Sequence, residues 1–553
     1  MKTNRIPASQ WAAVALLLML ALNPASAPAA GPLTPPGPPA PLWKTLQEIE
    51  PRTIITSVPY TITAPGSYYL TNNLTVATGN GITIQTNGVT LDLNGFTLSS
   101  TDAGNGGYGI YMVSGYTDIS ILNGAIEGGV TDDGSGNYSG PGFATGIAEA
   151  EDFNVRVSNV SVSGCLDSGI DLDGNMPSTL VENSRVKLVG FYGIFAGVVK
   201  NCSAIHCGSV GIYGTEVSDS TGQSPYYGGG IYASTVINSY GSSGNSPGIY
   251  ALTAQNCYGV SSTSIGLYAT TANNCYGYTG GTNTGDEGLY ARDASGCEGY
   301  GGLYGLYCTG TALCCYGNSS NGFGVYALTA ENCYGVSDGN YTTNSYAGVY
   351  ANTAHNCVGT SIHYYGIQAN AANNCYGYSY FLNGIYAPGG TVESSYGYGG
   401  NNYGIYCYNA NNCYGESGFK VGVDAQVANN CYGIADFGLY GIETSTANNC
   451  YGLVGAASTN NDTFGINATT AINCFGETQS TGYYGIGLAA TLGNNCTGYS
   501  SGDDGYGLNC YIAIGCYGVD YANGSSGLNA FIGNSSYGVG YYTEAVTYKY
   551  NMP

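Results

Sequence analysis

From Ile54 onward, apolar and polar residues alternate with a period of two, as in Gly81-Ile82-Thr83-Ile84-Gln85 and Val89-Thr90-Leu91-Asp92-Leu93. That alternation predicts β-strands. Downstream it sharpens into a repeating unit, Gly248-Ile249-Tyr250-Ala251-Leu252-Thr253-Ala254-Gln255-Asn256-Cys257-Tyr258-Gly259, followed at once by a copy from Gly266 to Gly277. Repetition at so short a period predicts a solenoid, whose units bury their apolar faces only against neighbouring units. Within a unit the alternation places Ile249, Ala251, Ala254, Cys257 and Gly259 inward, with Tyr250, Thr253, Gln255 and Tyr258 outward. The inward second-strand residue is Val early (Val157, Val181, Val199, Val217, Val236) and Ala later (Ala254, Ala272, Ala330), which predicts a narrowing tube. Longer units, such as Cys333 to Cys357, take their extra residues between Tyr-Gly and the next Gly-Ile/Leu-Tyr, so insertions are expected along one rim. With about 21 rungs at ~4.8 Å spacing, the body is expected to be a rod on the order of 100 Å long.

A column of asparagines punctuates the units. It starts in Leu93-Asn94-Gly95, Leu122-Asn123-Gly124 and Ser158-Asn159-Val160, and runs on through Asn183, Asn201, Asn238, Asn256, Asn274, Asn332, Asn356 and Asn374 to Asn495. Gly296 and Gly515 hold the same place in two units. Asn and Gly are the residues that tolerate a left-handed backbone, so the column marks a tight bend between two strands. An asparagine ladder at that bend resembles the right-handed parallel β-helix proteins, the architecture of the pectate lyases. Thr90-Leu91-Asp92-Leu93-Asn94-Gly95 also looks like the opening rung of secreted bacterial β-helix repeat proteins. The resemblance implies an all-β, right-handed parallel β-helix over residues 54–553. It names no activity, because one fold carries many functions.

The N-terminus reads differently. Residues 1–30 have the form of a secretory signal peptide: Lys2 and Arg5, an apolar run from Trp11 to Leu22, and Ala27-Pro28-Ala29 as a cleavage site. Residues 31–53 form a Pro-rich linker and one short helix, Leu42 to Glu50, with Trp43, Leu46 and Ile49 on one side and Pro51 as its stop. This helix is expected to cap the solenoid, the alternative being a mobile arm. No Cys follows the leader until Cys165, which disfavours a lipid anchor, and no later stretch reaches the ~20 apolar residues of a membrane span. The expected location is secreted, extracellular or at the cell surface.

Composition narrows the function classes. Charged residues make up 8%, against roughly a quarter in an ordinary globular domain, and the formal net charge is −23. Past Lys200 the only basic residues are Arg292, Lys420 and Lys549. No basic stripe can be drawn, which excludes nucleic acid and disfavours anionic membranes and acidic substrates.

Four sets of residues carry the candidate chemistry. Most of the twenty cysteines fall in one inward column that includes Cys257, Cys275, Cys333, Cys357 and Cys375, with Ser239 and Ser395 in the same place elsewhere. The position wants a small side chain, and buried thiols acting as apolar filler satisfy it. A disulfide ladder is the alternative, although parallel Cβ vectors leave the Cβ atoms wider apart than the preferred ~3.8 Å. Cys308, Cys407 and Cys510, which replace an inward Ala, are better placed for cross-core disulfides. Metal binding finds no C-x-x-C pair.

Asp171 and Asp173 with Arg185 and Lys187 resemble pieces of a polygalacturonase motif set, but no Gly-His-Gly accompanies them. Asp171 aligns with the outward first-strand column and Arg185 with the outward third-strand column, which separates acid from base. Asp132, Asp133, Asp503 and Asp504 sit in Gly-rich loops and are the candidate Ca²⁺ ligands, without the ligand spacing of a known loop. No other cofactor is expected.

The tyrosines form two outward ladders. One contains Tyr213, Tyr232, Tyr250, Tyr268, Tyr290, Tyr307, Tyr326, Tyr350, Tyr386 and Tyr406; the other contains Tyr240, Tyr258, Tyr276, Tyr316, Tyr334, Tyr376, Tyr396, Tyr414, Tyr432 and Tyr451. Stacked aromatics stabilise a parallel sheet whatever its function. Two such ladders also make an extended amphipathic surface, the mark of contact with a partner. Aligned threonines, among them Thr235, Thr253 and Thr271, resemble the ranks of ice-binding proteins, but Asp293, Ala371, Asn409 and Val427 interrupt them. The leading expectation is a secreted, non-catalytic rod for adhesion or glycan binding. Its partner would be a polysaccharide, a surface or matrix component, or another copy. A polysaccharide lyase or glycoside hydrolase is the alternative, and an ice-binding solenoid the second.

Overall fold

The computed structural model describes residues 50–149, 153–172, 178–281, 286–339, 346–522 and 524–552. The expected leader and linker, the capping helix up to Ile49, and Asp173 lie outside the described residues. The unit Arg52–Pro553 is an all-β parallel solenoid of about 23 turns, without a helix among its described residues. The count of about 21 from the sequence falls slightly short, because the turns before Asn183 lack the Cys-Tyr-Gly signature. At ~4.8 Å per turn the solenoid is ~110 Å long.

A regular turn contains two strands, Ile249–Gln255 and Tyr258–Ser261. The longer strand merges the first and second strands of the sequence reading, with no loop between them. Its burial gives the reason: Ile249, Ala251 and Ala254 are buried, while Leu252 and Thr253 are both exposed. Two successive outward residues shift the alternation by one, and that shift is the corner. Each strand pairs in parallel with its equivalent one turn on, Tyr250 opposite Tyr268, Ala254 opposite Ala272 and Tyr258 opposite Tyr276. Among the described residues the one antiparallel pair is a small hairpin on the rim, Thr131–Asp132 with Tyr138–Ser139.

At the second corner Asn256 has φ +52° and Asn274 +49°, as the asparagine column requires. Asp219, Cys314, Ser394 and Ser535 also stand at this bend with φ +50°, +53°, +48° and +52°. The sequence column passed over these four. An ordinary side chain costs ~1–2 kcal/mol there, which strand pairing on both sides of the corner overrides. Where asparagines follow one another their amides bond along the axis. Asn201 Nδ2 donates to Asn183 Oδ1 at 2.7 Å and Asn374 Nδ2 to Asn356 Oδ1 at 2.6 Å.

Inside, Ile249, Leu267, Leu289, Leu306 and Val325 form one fully buried column, and Ala254, Ala272 and Ala294 another. The short strand approaches the next turn closely. A Cβ on Gly259 would lie 2.3 Å from the Gly266 carbonyl oxygen, so the Tyr-Gly step admits no side chain. A further column, not singled out in the sequence, ends the short strand at Ser243, Ser261, Ser319 and Ser337. Ser261 Oγ donates to the Ser246 carbonyl at 2.9 Å and accepts from the Ser264 amide at 3.0 Å, pinning the rim loops on either side.

Candidate functional site

Both tyrosine ladders stand on the surface as stacks. In the first, ring centroids lie 4.7 Å apart for Tyr250–Tyr268, Tyr268–Tyr290 and Tyr326–Tyr350, each pair within 5° of parallel. Tyr290–Tyr307 and Tyr307–Tyr326 fill the middle at 5.1 and 4.9 Å. In the second, Tyr258–Tyr276 stack at 4.3 Å, and Tyr396, Tyr414, Tyr432 and Tyr451 follow at 5.1, 4.9 and 4.6 Å. Register imposes this spacing: equivalent residues of adjacent turns sit one strand separation apart, so parallel rings meet face to face. Tyr250 and Tyr258 remain 44% and 41% exposed, so stacking leaves ring surface free in both strips.

The strips break at defined places. Glu298 occupies the position after Tyr276, and the stack sidesteps through Tyr300, 5.3 Å from Tyr276 and 5.5 Å from Tyr316. Val358 interrupts between Tyr334 and Tyr376. Gln368 interrupts the first strip between Tyr350 and Tyr386, where Tyr365 moves in to stack on Tyr386 at 4.4 Å. Burial first, and then the neighbouring phenol or carboxylate, pushes Tyr276, Tyr396 and Tyr451 above the ordinary tyrosine range. Their hydroxyls stay protonated, and those of Tyr396 and Tyr451 donate to Glu416 at 2.7 Å and Glu477 at 2.9 Å.

Shallow grooves run beside the first strip, between its rings and the corner residues. One of about 370 Å³ is lined by Tyr307, Tyr326, Leu328, Tyr350, Asn352, Gln368 and Asn370. Another, of about 410 Å³, is lined by Tyr213, Tyr232, Tyr250 and Leu252.

The catalytic candidates do not converge. Asp171 pairs in register with Phe195 on the long strand, whereas Arg185 and Lys187 pair with Ser203 and Ile205 on the short one. The carboxylate oxygens of Asp132 and Asp133 are already engaged. Asp132 accepts from the Gly134 amide at 3.0 Å and from the Tyr226 hydroxyl at 2.6 Å. Asp133 accepts from the Ser135 amide at 2.7 Å and from Asn137 Nδ2 at 2.8 Å. Asp504 stands at φ +55° in its turn, and the Asp503 carbonyl accepts from the Tyr484 amide. No group of three or more His, Cys, Asp or Glu gathers around a common point among the described residues.

A carboxylate pair absent from the sequence reading does stand out. Beyond Tyr406 the first strip continues as Asp424 and Glu443 on adjacent turns. Burial, and then Glu443, pushes the Asp424 carboxyl up to about 6. Burial also raises Glu443, and Lys420 opposes the rise at both. Following the Tyr column past its last tyrosine would have found the pair.

All twenty cysteines are free thiols, Cys308, Cys407 and Cys510 included, and only Cys314 is exposed. Apolar filler understates the column's role. Cys357 Sγ donates to the Ala330 and His355 carbonyls, both at 3.3 Å, and Cys257 Sγ to those of Val236 and Gln255 at 3.3 and 3.1 Å. Serines in the column make the same bonds: Ser239 Oγ donates to the Ile237 carbonyl at 2.7 Å and accepts the Ser220 amide at 3.1 Å. The column selects a small side chain that both donates and accepts, which Ser and Cys share and Ala lacks. Cys275, Cys297 and Cys315 are pushed up to about 12, first by the hydrogen bond each shares with the preceding thiol.

Comparison with family models, with curated proteins and with solved structures returned no match.

Proposed function

We propose that this chain is a secreted, non-catalytic rod that holds a surface or matrix partner through its two tyrosine strips. The observation that carries the reading is a stack of outward tyrosines on successive turns of a rigid scaffold, exposed at Tyr250 and half-buried at Tyr268, Tyr290, Tyr326 and Tyr350. The outer edges of the stacked rings pack against sugar rings or against a second strip, and contacts repeated along one body add by avidity, so no single turn need bind tightly. The leader-like residues 1–30 support export. The test is a glycan array and a surface-retention assay on the parent and on a variant with Tyr250, Tyr268, Tyr290 and Tyr307 all changed to Ser. The variant should fold and lose retention; equal retention would make the strips purely structural.

One observation favours a second reading, a glycoside hydrolase centred on Asp424 and Glu443. Asp424 and Glu443 are paired in register on adjacent turns, their backbones ~4.8 Å apart, which is on the scale of the ~5–5.5 Å that retaining glycosidases keep between their carboxyls. A carboxyl raised to about 6 beside a second carboxylate also suits an acid–base pair. Sugar release scored in the same screen decides between the readings, since binding without turnover leaves the rod.

A further inference from the structure

Gln368 is the one residue that replaces a ring between Tyr350 and Tyr386, and it opens the first strip to the 370 Å³ groove. The walls of that groove differ in kind. Tyr307, Tyr326 and Tyr350 form a stacked aromatic platform on one side. Asn352 and Asn370 stand on the other, with Asn370 Nδ2 donating to Asn352 Oδ1 at 2.6 Å. Gln368 also lines the groove, and its Oε1 is buried and accepts no hydrogen bond among the described residues. An acceptor left in that state costs ~1–3 kcal/mol, a penalty that a rotation of the side chain into the groove, onto a ligand hydroxyl, would remove. No lining residue is charged, and the whole chain carries −23.

We infer that this groove is a binding site for an unbranched segment of a neutral polysaccharide, lying along the rod axis. The inference rests on the proposed glycan-binding function and locates it. The outer edges of the platform rings pack against the apolar faces of successive sugars, and Gln368 and the asparagine pair take their hydroxyls. From the turn of Tyr307 to that of Pro388 the lining spans four turn spacings, ~19 Å, which suits an oligomer rather than a single sugar. The absence of any cationic residue disfavours uronates and sulfated chains, which would meet an acidic protein without a counter-charge.

The test titrates the full chain with cellohexaose, mannohexaose and xylohexaose as neutral probes and hexagalacturonate as the acidic one, by calorimetry. At least one neutral hexamer should bind and the acidic one should not. Gln368→Leu, which keeps the volume and removes the acceptor, should weaken binding up to about tenfold. Asn370→Ala serves as the second variant, with melting no lower than the parent's required of both. Undiminished affinity in both, or equal affinity for the acidic hexamer, overturns the site. If both bind normally while a variant with Tyr250, Tyr268 and Tyr290 changed to Ser, which leaves the groove lining intact, does not, the site fails and the broader function stands. If no glycan binds the parent, both fail; variants that alter only self-association make the groove a contact between copies.

Discussion

Changing Cys357 tests whether the cysteine column works through hydrogen bonding or through bulk alone. Cys357 is 1% exposed, and its single S–H is shared between two carbonyls, those of Ala330 one turn back and His355 two residues before. Cys357→Ala removes the buried sulfur, worth ~0.8 kcal/mol if it counts as one methylene. It also removes one net hydrogen bond of ~0.5–1.5 kcal/mol, for a loss of ~1–2.5 kcal/mol. Cys357→Ser gives up part of the transfer gain and keeps a stronger donor at the same carbonyls, as Ser239 and Ser395 do at 2.7 Å from theirs. Its expected cost is below ~1 kcal/mol. Cys357→Val overfills the corner for ~1–3 kcal/mol and leaves both carbonyls without the donor.

A rod of this length need not unfold in one step, so the assay is local: hydrogen exchange of the amides around Val349–Gly359 in each variant, with the urea midpoint as a global check. The expected order of protection is parent, Ser, then Ala and Val. If Val equals Ser and Ala costs nothing, bulk is all the column demands and the hydrogen-bond argument is refuted.

Two further outcomes follow. The Asp424 carboxyl titrates near 6 in the fold and near 3.8 when unfolded, so the folded state binds the proton more tightly and stability should fall as pH rises from about 4 through 6. Solvent reaching the side chain holds the effect to about 1 kcal/mol, and Asp424→Asn should flatten that part of the melting profile; an unchanged profile refutes it. A maleimide reagent at neutral pH should modify Cys314 rapidly in the folded chain and leave buried Cys165, pushed up to about 12 by burial, untouched. Fast labelling of Cys165, read by peptide mass, would contradict the packing.

The repeat was legible because each inward position is held to one size by its neighbours. Ile249, Ala254, Cys257 and Gly259 recur for packing reasons, and strict alternation exposes them to a reader of the chain. What stayed hidden depends on partners in other turns. Ser261 looks like any small polar residue until its bonds to Ser246 and Ser264 on the rim are visible. Cys314 and Ser394 show no bend signal, because the corner is imposed on them by the pairing around it. Asp424 and Glu443 had only their place in a column of tyrosines to mark them.

That last case bears on where function is encoded in such a rod. Inward columns cannot vary without disturbing two adjacent turns, so they carry the fold and little else. Outward columns are free to vary, yet over many turns they keep tyrosine, whose stacking gives the sheet ~0.5–1.5 kcal/mol per pair. A departure from Tyr in such a column forgoes that stabilisation and needs another reason. Glu298 leaves Tyr300 to bridge the stack, so continuity is retained. Gln368 is bridged on one side only, by Tyr365 against Tyr386, and its side-chain carbonyl oxygen is buried without a partner beside a groove. Asp424 and Glu443 place two raised carboxyls on the same line. On the proposed binding function, the breaks in the ladder, more than its rungs, are where a specific partner would be read.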